Sequence, residues 1–232
     1  MPITPPLISL VATGPLFVVG ALVPAGPREA IWGLAAFIEL AGPTALRGRL
    51  SGMHLDAAHL SERFGLFVLI ALGESVVAIG VSAQAVDRFT VGVGGAVVAA
   101  FALSCGLWWV YFHFAADAMR HALATAEVQL HVTRLVLSYG HLAFISAIVL
   151  TAVGLHDVVS HPGEHLGWAT AGMLVGGTAL YLGTFGFTRW AMFRLVSTTR
   201  LTAAAAVLAF LPLAARLPGL VAVAILAVAS AS

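Results

Sequence analysis

The sequence predicts an all-α membrane protein: a polytopic bundle of about eight transmembrane helices that forms one domain over residues 1–232. Hydrophobic residues make up 60% of the chain and charged residues only 9%, whereas soluble globular proteins contain roughly 25% charged residues. The apolar residues occur in long runs, and a helix needs about 20 of them to cross the hydrocarbon core of a bilayer. A membrane β-barrel would instead show strands of about ten residues with alternating polarity. Composition and run length together therefore predict spanning helices.

Eight apolar runs are long enough, or nearly long enough, to be spans. The last two runs are short and are separated only by the break at Arg216–Pro218, so one broken or re-entrant helix, and a total of seven spans, is the alternative. The eight runs lie at residues 7–23, 29–47, 59–84, 90–112, 135–154, 167–188, 199–214 and 217–231.

The longest polar segment, residues 113–134, directly follows the fourth span. Its polar residues recur mostly at intervals of three and four, which places them on one face of a helix. We therefore predict that the fourth span continues as an amphipathic extension on the cytoplasmic surface. Trp108, Trp109 and Tyr111 would mark its exit from the membrane, as interfacial aromatic residues do. The polar residues are His113, Asp117, Arg120, His121, Glu127, His131 and Arg134.

Arginine placement predicts the orientation, because short cytoplasmic loops carry an excess of basic residues. With eight spans, seven arginines fall on one side, three fall on the other, and Arg63 lies within a span. Both termini are then cytoplasmic, and the loop with His156, His161 and His165 faces outward. The seven are Arg47, Arg49, Arg120, Arg134, Arg189, Arg194 and Arg200; the three are Arg28, Arg88 and Arg216.

Composition also excludes several classes of protein. A net charge of +1 argues against a nucleic-acid partner, which would need a basic patch. Cys105 is the only cysteine, so an intramolecular disulfide is excluded. Gly92-x-Gly94-Gly95 is not followed by the strand–helix unit of a nucleotide-binding fold, and we expect no cofactor. Since Ser, Thr and Cys show no nucleophile–base arrangement, we predict no catalytic residues and favour a non-enzymatic role.

Histidines raise the question of a metal site. His156, His161 and His165 lie in or near one predicted outer loop, but zinc needs three or four converging ligands. His59 and Glu62 have the spacing of two ligands on one helical face, as in carboxylate-bridged helix bundles. Such bundles need matching Glu and His residues on other helices, and the chain supplies too few. We therefore expect no metal.

The third span carries the strongest group of ionisable residues, and such residues inside a membrane are candidates for function. His59 lies three and four residues before Glu62 and Arg63, so these residues share one helical turn. Glu74 follows Arg63 by eleven residues, on nearly the same face but ~16 Å further along the axis. A direct pair is therefore excluded, and each residue needs a partner on another helix.

The two ends of this group favour different interpretations. Glu74 lies deep in the span between Gly73 and Ser75, which allow close backbone approach, so we favour a polar cavity around it. The turn from His59 to Arg63 lies near the predicted cytoplasmic end, where an arginine can reach the lipid headgroups. Anchoring and function are equally supported for that turn.

Two residues on other helices lie at depths between Arg63 and Glu74. Glu39, at the centre of the antiparallel second span, is the predicted ion-pair partner of Arg63. His141 lies in the fifth span, two residues after Tyr139. A buried Glu–Arg pair can also serve only to fix helix packing, which is the structural alternative. The predicted polar site comprises Glu74, Glu39, Arg63, His141, Glu62, His59, Ser75 and Tyr139.

The third-span sequence resembles the signature of the bacterial low temperature requirement protein A family. Further similarities follow in the same order as in that family, from about residue 30 to residue 195, while His113 stands where the family's double-tryptophan motif usually ends in an acid. The matching residues are Trp32, Glu39 and Pro43; His59-Leu-Ser-Glu62-Arg63-Phe-Gly65 with Gly73-Glu74-Ser75; Trp108-Trp109-Val-Tyr111; Tyr139-Gly140-His141; and Ala152-Val-Gly154 with His161-Pro162.

The resemblance implies a multi-pass protein of the bacterial cytoplasmic (inner) membrane that is linked by name to growth in the cold. It supplies no reaction. Members of the family are longer, with more spans before the signature helix, so this chain resembles their C-terminal portion. The missing N-terminal helices or a second copy of the chain are then expected to cover the charged face, and membrane lipids are expected partners.

The residue types favour transport or conduction of protons or small ions, because intramembrane carboxylates and imidazoles are common relay groups. One alternative is a membrane-embedded enzyme or lipid-interacting factor that uses His59, Glu62 and the polar helix from His113 at the cytoplasmic face. A structural or sensory membrane module without a substrate is the other.

Overall fold

The computed structural model describes residues 4–45, 57–125 and 133–231. Within these ranges the chain is helical almost throughout, with one isolated β-bridge between His165 and Pro218. Each of the eight predicted spans coincides with an α-helix, which confirms the all-α class. The chain divides into two compact units, residues 1–55 and 56–232. A single domain over residues 1–232 stays a prediction.

The first unit is an antiparallel pair of helices, α1 (Thr4–Leu22) and α2 (Pro27–Ala45). Gly26 makes the turn with φ +95°, a conformation that suits glycine because it has no Cβ. The Trp32 indole donates to the Phe17 carbonyl at 3.1 Å. A Cβ at Gly20 would overlap the Trp32 ring, so glycine at this position lets the ring lie against α1.

The second unit contains seven α-helices and two π-helical segments in its described residues. The chain passes from α4 through a π-helical segment into α5 without a break as far as residue 125. Residues 126–132 of the predicted extension lie outside the described residues, and its amphipathic, cytoplasmic character stays a prediction. In chain order the helical elements are α3 (Ala57–Ala85), α4 (Val91–Val110), the first π segment (Tyr111–Ala115), α5 (Ala116–Thr125), the second π segment (Thr133–Gly140), α6 (His141–Ser160), α7 (Gly167–Phe193), α8 (Thr198–Ala214) and α9 (Gly219–Ala231).

Three helical stretches in the described residues are long and apolar enough to cross a membrane: His59–Ala85, Val91–Ala122 and Thr133–Ser160. α7, with 27 residues, is ~40 Å long, but its many Gly and Thr residues make it less apolar. The polytopic character therefore rests most directly on α3, α4 and α6.

The helices of the second unit run alternately up and down, so the unit has two ends. Gly140 packs against Thr188 at one end, which we call the His141 end. Ser82 meets His156 at the other, the His156 end. α6 runs from the first to the second and packs against α3 and α7, while α7 also packs against α8, and α4 against α9.

Small residues bring α6 and α7 close together. A Cβ on Gly154 would lie 2.9 Å from the Leu174 Cβ, and one on Gly177 would lie 2.8 Å from the Ala147 carbonyl oxygen. Only glycine fits at such separations, which is how membrane helices gain van der Waals contact where lipid competes for apolar surface. Tight packing here fixes α6, the helix that carries both His141 and His156.

α8 and α9 are two helices and not one broken span. α8 ends at Ala214, and the connection that follows is bound to the loop after α6, since the Leu166 N–H donates to the Leu217 carbonyl at 3.3 Å and the Gly219 N–H to the Glu164 carbonyl at 3.0 Å. α9 then returns beside α4. The turn between them therefore lies at the His156 end, although 17 and 13 residues are fewer than the ~20 of a full span.

Candidate functional site

The core of the second unit contains a tyrosine–histidine pair that joins α4 to α6. Tyr111 is the first residue of the first π segment, and His141 directly follows the second. The Tyr111 hydroxyl oxygen lies 2.6 Å from His141 Nε2, and each residue is only 1% exposed. Two titratable side chains therefore meet in direct contact inside the core of the second unit.

The second partner of the imidazole fixes its tautomer. His141 Nδ1 lies 3.0 Å from the Val136 carbonyl oxygen, and a carbonyl can only accept a hydrogen bond. Nδ1 therefore carries the hydrogen, so Nε2 of the neutral ring accepts and the Tyr111 hydroxyl donates. In this arrangement every polar atom of the pair is satisfied, with the direction of donation running from tyrosine to imidazole to backbone.

The π-helical segments explain how the two side chains meet. A π-helix closes i→i+5 hydrogen bonds and so rotates the residues that follow it relative to a continuous α-helix; such segments are rare and are frequent at functional sites. Tyr111 and His141 both stand at the junction between α- and π-helix. Together the two junctions turn a phenol and an imidazole towards each other inside the bundle.

Aromatic rings surround the pair. The Phe64 ring centroid lies 4.8 Å from that of His141, and the Phe144 centroid lies 5.5 Å from that of Tyr111. Phe144 also contacts Tyr181, whose hydroxyl donates to the Leu107 carbonyl at 2.8 Å. The described groups in contact with the imidazole thus carry no formal charge, and the site is apolar except for its hydrogen bonds.

The turn at the start of α3 forms as its spacing predicts. Arg63 Nε donates to His59 Nε2 at 2.8 Å, and both side chains are exposed. Glu62 is also exposed and lines a cavity of about 380 Å³ with Ser61, Phe112 and Arg120 among its other lining residues. This cavity lies at the His141 end, and His141 is not among its lining residues.

Glu74 and Ser75 face different surroundings. Ser75 is 4% exposed and donates to the Ala71 carbonyl at 3.1 Å, whereas Glu74 lies on the exposed side of α3. Glu74 is also ten residues, or ~15 Å, along the helix from Phe64, the α3 residue that touches His141. The structure therefore does not bring Glu74 and His141 together, and its role in a polar path stays a prediction.

Glu39 belongs to the first unit. The Thr13 hydroxyl donates to one of its carboxylate oxygens at 2.5 Å, which satisfies a polar group inside an apolar helix pair. Its predicted pairing with Arg63, in the second unit, stays a prediction. Tyr139 lies half-buried in the second π segment.

Sequence reasoning missed Tyr111 and Ser82. Tyr111 was expected at the membrane interface with Trp108 and Trp109, but only the two tryptophans are exposed, at 42% and 49%. Ser82 is fully buried and contacts His156, which lies inside α6. A usable signal was present, because Ser75 and Ser82 are seven residues apart and so share the buried face of α3.

Two of the three histidines expected in the outer loop make separate polar contacts at the His156 end, and one of them, His156, lies inside α6. Ser82 Oγ lies 2.6 Å from His156 Nδ1. The next residue, Asp157, accepts a hydrogen bond from the Thr170 hydroxyl at 2.7 Å and lies 3.6 Å from His161 Nδ1. Among the described residues, no group of three or more His, Cys, Asp or Glu side chains is arranged to hold a metal ion.

The matching family is described as the bacterial low temperature requirement A protein family, and the match covers residues 3–231. The chain belongs to this family. An uncharacterised protein of Rhizobium meliloti (strain 1021) is 30% identical over 183 residues, which are 75% of this chain and 44% of that protein. The chain thus spans less than half of the length of that relative. No solved structure matches the chain.

Proposed function

We propose that this protein conducts protons across the bacterial cytoplasmic membrane and that a proton passes through the Tyr111–His141 pair. The observation that carries the proposal is the fully hydrogen-bonded, buried imidazole, which accepts at Nε2 from Tyr111 and donates at Nδ1 to Val136. In the proposed relay, Nε2 takes a proton from Tyr111, and Nδ1 leaves the Val136 carbonyl and releases its hydrogen to a bridging water molecule, because a carbonyl oxygen cannot pass a proton on. Tyr111 then regains a proton from the entry side. Ionisable groups held at membrane depth are the usual members of such relays.

A second histidine–hydroxyl pair supports a route along α6. His156 lies fifteen residues after His141, a separation of ~22 Å along the helix, and contacts the buried Ser82. Between them, the Thr151 and Ser75 hydroxyls are buried and each donates to a carbonyl of its own helix. Their oxygen lone pairs stay available as acceptors, and the proposal requires water molecules to bridge these groups during conduction.

Carboxylates would serve as entry and relay groups. Glu62 is exposed at the His141 end and lines a cavity together with Phe112, the residue after Tyr111. Glu74, Glu39 and Arg63 remain candidates for a polar path, since each is an ionisable residue within an apolar run. The seven-to-three arginine bias supports placing the His141 end in the cytoplasm.

Proton flux into vesicles tests this proposal. The purified chain is reconstituted in proteoliposomes that contain a pH-sensitive dye, and a potassium diffusion potential drives the flux. Tyr111→Phe keeps the ring and removes the hydroxyl that donates to His141, so we expect the rate to fall by at least about ten-fold, as is typical when a proton-transfer partner is lost. Tyr181→Phe is the matched control, because its hydroxyl donates to the Leu107 carbonyl and not to the imidazole; its rate should stay close to that of the wild type.

Three results would contradict the proposal: no flux above that of empty vesicles, unchanged flux in Tyr111→Phe, or an equal loss in both variants. The first would favour the alternatives. Of these, a lipid-interacting factor or membrane enzyme is supported by the cavity beside Glu62, where a carboxylate, a serine hydroxyl and Arg120 line about 380 Å³ of space. Membership of the low temperature requirement family supports a contribution to growth in the cold under either function.

A further inference from the structure

A second cavity at the His141 end lies where α7 ends and α8 begins, and the first π segment closes its side. Its volume is about 490 Å³. Phe114 and Phe185 contribute apolar walls, whereas Arg189, Arg200, Ser197 and Thr199 contribute polar groups. The cavity thus combines two cations and two hydroxyls with an aromatic wall, and it contains none of the residues of the Tyr111–His141 pair.

The two arginines line this cavity without an anionic partner among the described residues. Arg200 is half-buried, and its guanidinium carbon lies 4.5 Å from the centroid of the Phe114 ring. Such stacking fixes the plane of the guanidinium and leaves its N–H groups free to donate at the edge. Neither arginine forms an ion pair or a side-chain hydrogen bond with another described residue, and both line the cavity.

Ser197 adds an independent observation. It is the N-cap residue of α8 and is 7% exposed, yet its hydroxyl makes no capping hydrogen bond and no other hydrogen bond within the described residues. Serine at this position normally accepts from the N–H of the second or third helical residue. Ser197 is instead one of the residues that line the cavity, and the first turn of the 17-residue helix beside it has no side-chain cap.

We propose that this cavity binds a phosphate group. Backbone N–H groups at a helix N-terminus, together with the helix dipole, form an anion site. Two guanidinium groups can each donate twice to phosphate oxygens, and Ser197 supplies one more donor. A phosphate has enough oxygens to use these donors together, whereas a carboxylate has only two. The phosphate has two potential sources, the headgroup of a phospholipid, whose chains the aromatic wall can contact, and a soluble phosphate.

Thermal unfolding of the full chain in detergent tests the site with three defined probes: dioctanoyl phosphatidylglycerol, inorganic phosphate and dioctanoylglycerol, which has no phosphate. We expect a saturable rise in Tm with a phosphate-bearing probe and none with dioctanoylglycerol, because a ligand that binds only the folded state stabilises it. If phosphatidylglycerol acts at a concentration at least about ten-fold below that of inorganic phosphate, the source is a lipid headgroup; similar concentrations indicate a soluble phosphate.

Arginine and serine variants distinguish binding in this cavity from general electrostatic attraction between the probe and the protein. Arg189→Gln/Arg200→Gln should weaken the phosphate-dependent shift by at least about ten-fold, because it removes the charge-assisted hydrogen bonds. Arg194→Gln/Arg216→Gln removes the same charge outside the cavity and should change it by less than about two-fold. Ser197→Ala keeps every charge and should weaken binding by about three-fold or more, as one hydrogen bond is lost.

The proposal is overturned by any of three results. They are the absence of a saturable shift with both phosphate-bearing probes, an equal shift with dioctanoylglycerol, and an equal loss in the two double-arginine variants. If the Arg189→Gln/Arg200→Gln protein does not fold, Ser197→Ala decides, and unchanged binding in that variant contradicts the site. Because this experiment does not measure proton flux, its result tests the phosphate site independently of the proposed proton conduction.

Discussion

The two ends of α6 carry the same pair of chemical groups, a histidine and a hydroxyl, in opposite electrostatic settings. At the His141 end, Tyr111 donates to Nε2, and the ring lies among aromatic side chains. At the His156 end, Ser82 gives its hydrogen to the Ala78 carbonyl at 2.8 Å, so His156 Nδ1 donates to the serine oxygen. The direction of donation between histidine and hydroxyl is therefore reversed.

Because of this reversal, adding a proton to Nε2 of the imidazole has different consequences for His141 and for His156. His156 is exposed and already donates from Nδ1, so a proton on its Nε2 breaks no contact within the described residues. A proton on Nε2 of His141 would meet the donating hydroxyl of Tyr111, which would have to rotate and become an acceptor. Among the described contacts, protonation is thus coupled to a hydrogen-bond rearrangement at the His141 end only.

The largest predicted difference between the two ends of α6 is the side of the membrane on which each lies, with the His141 end in the cytoplasm and the His156 end outside. After replacement of Cys105 by alanine, Ser160→Cys should react with an impermeant maleimide added outside intact cells, whereas Thr125→Cys should react only after the membrane is opened. The arginine distribution gives the reason, because basic loops stay in the cytoplasm. Labelling of both positions from the same side would contradict the alternation of helices between these residues.

The next effect is on stability. His141→Leu keeps roughly the volume but leaves the buried Tyr111 hydroxyl without its acceptor, and an unsatisfied buried group costs about 1–3 kcal/mol. We expect the free energy of unfolding, measured by denaturant titration in mixed micelles, to fall by about that amount. His156→Leu, at an exposed position, should cost less than about 1 kcal/mol. Similar losses in the two variants would show that the difference in burial does not determine the stability of these pairs.

The sequence singles out His141 of the buried pair but not its partner Tyr111, and the reason is physical. The helices follow from long apolar runs, and His141 stands out because an ionisable residue within such a run is rare. Its partner does not stand out. Tyr111 is thirty residues away and follows two interfacial tryptophans, so composition favours the membrane surface, whereas the π-helical segments that turn it inward depend on packing between α4 and α6. The reversed pair with Ser82 likewise depends on contacts between α3 and α6.

For Glu74, the sequence predicts the depth within the apolar helix but not the direction in which the side chain points. Its depth in the apolar run of α3 is sufficient to single it out, because depth follows directly from position along a helix of known rise. Its direction is set by which face of α3 packs against α4 and α6. That face carries Ser75 and Ser82, so Glu74 points away from the second unit's core. Depth was predictable from one helix alone, but direction required its neighbours.

The smallest effect concerns the reversed pair itself. Ser82→Ala removes the oxygen to which His156 Nδ1 donates, but the exposed imidazole can bind water instead. The Ala78 carbonyl loses only the extra hydrogen bond from the serine side chain, since it belongs to a continuous α-helix. The measured value of interhelical hydrogen bonds between membrane helices averages ~0.6 kcal/mol, so the free energy of unfolding should fall by about that amount. A loss as large as that of His141→Leu would mean that the two ends hold α6 with equal strength, and the contrast in their environments would then have no energetic consequence.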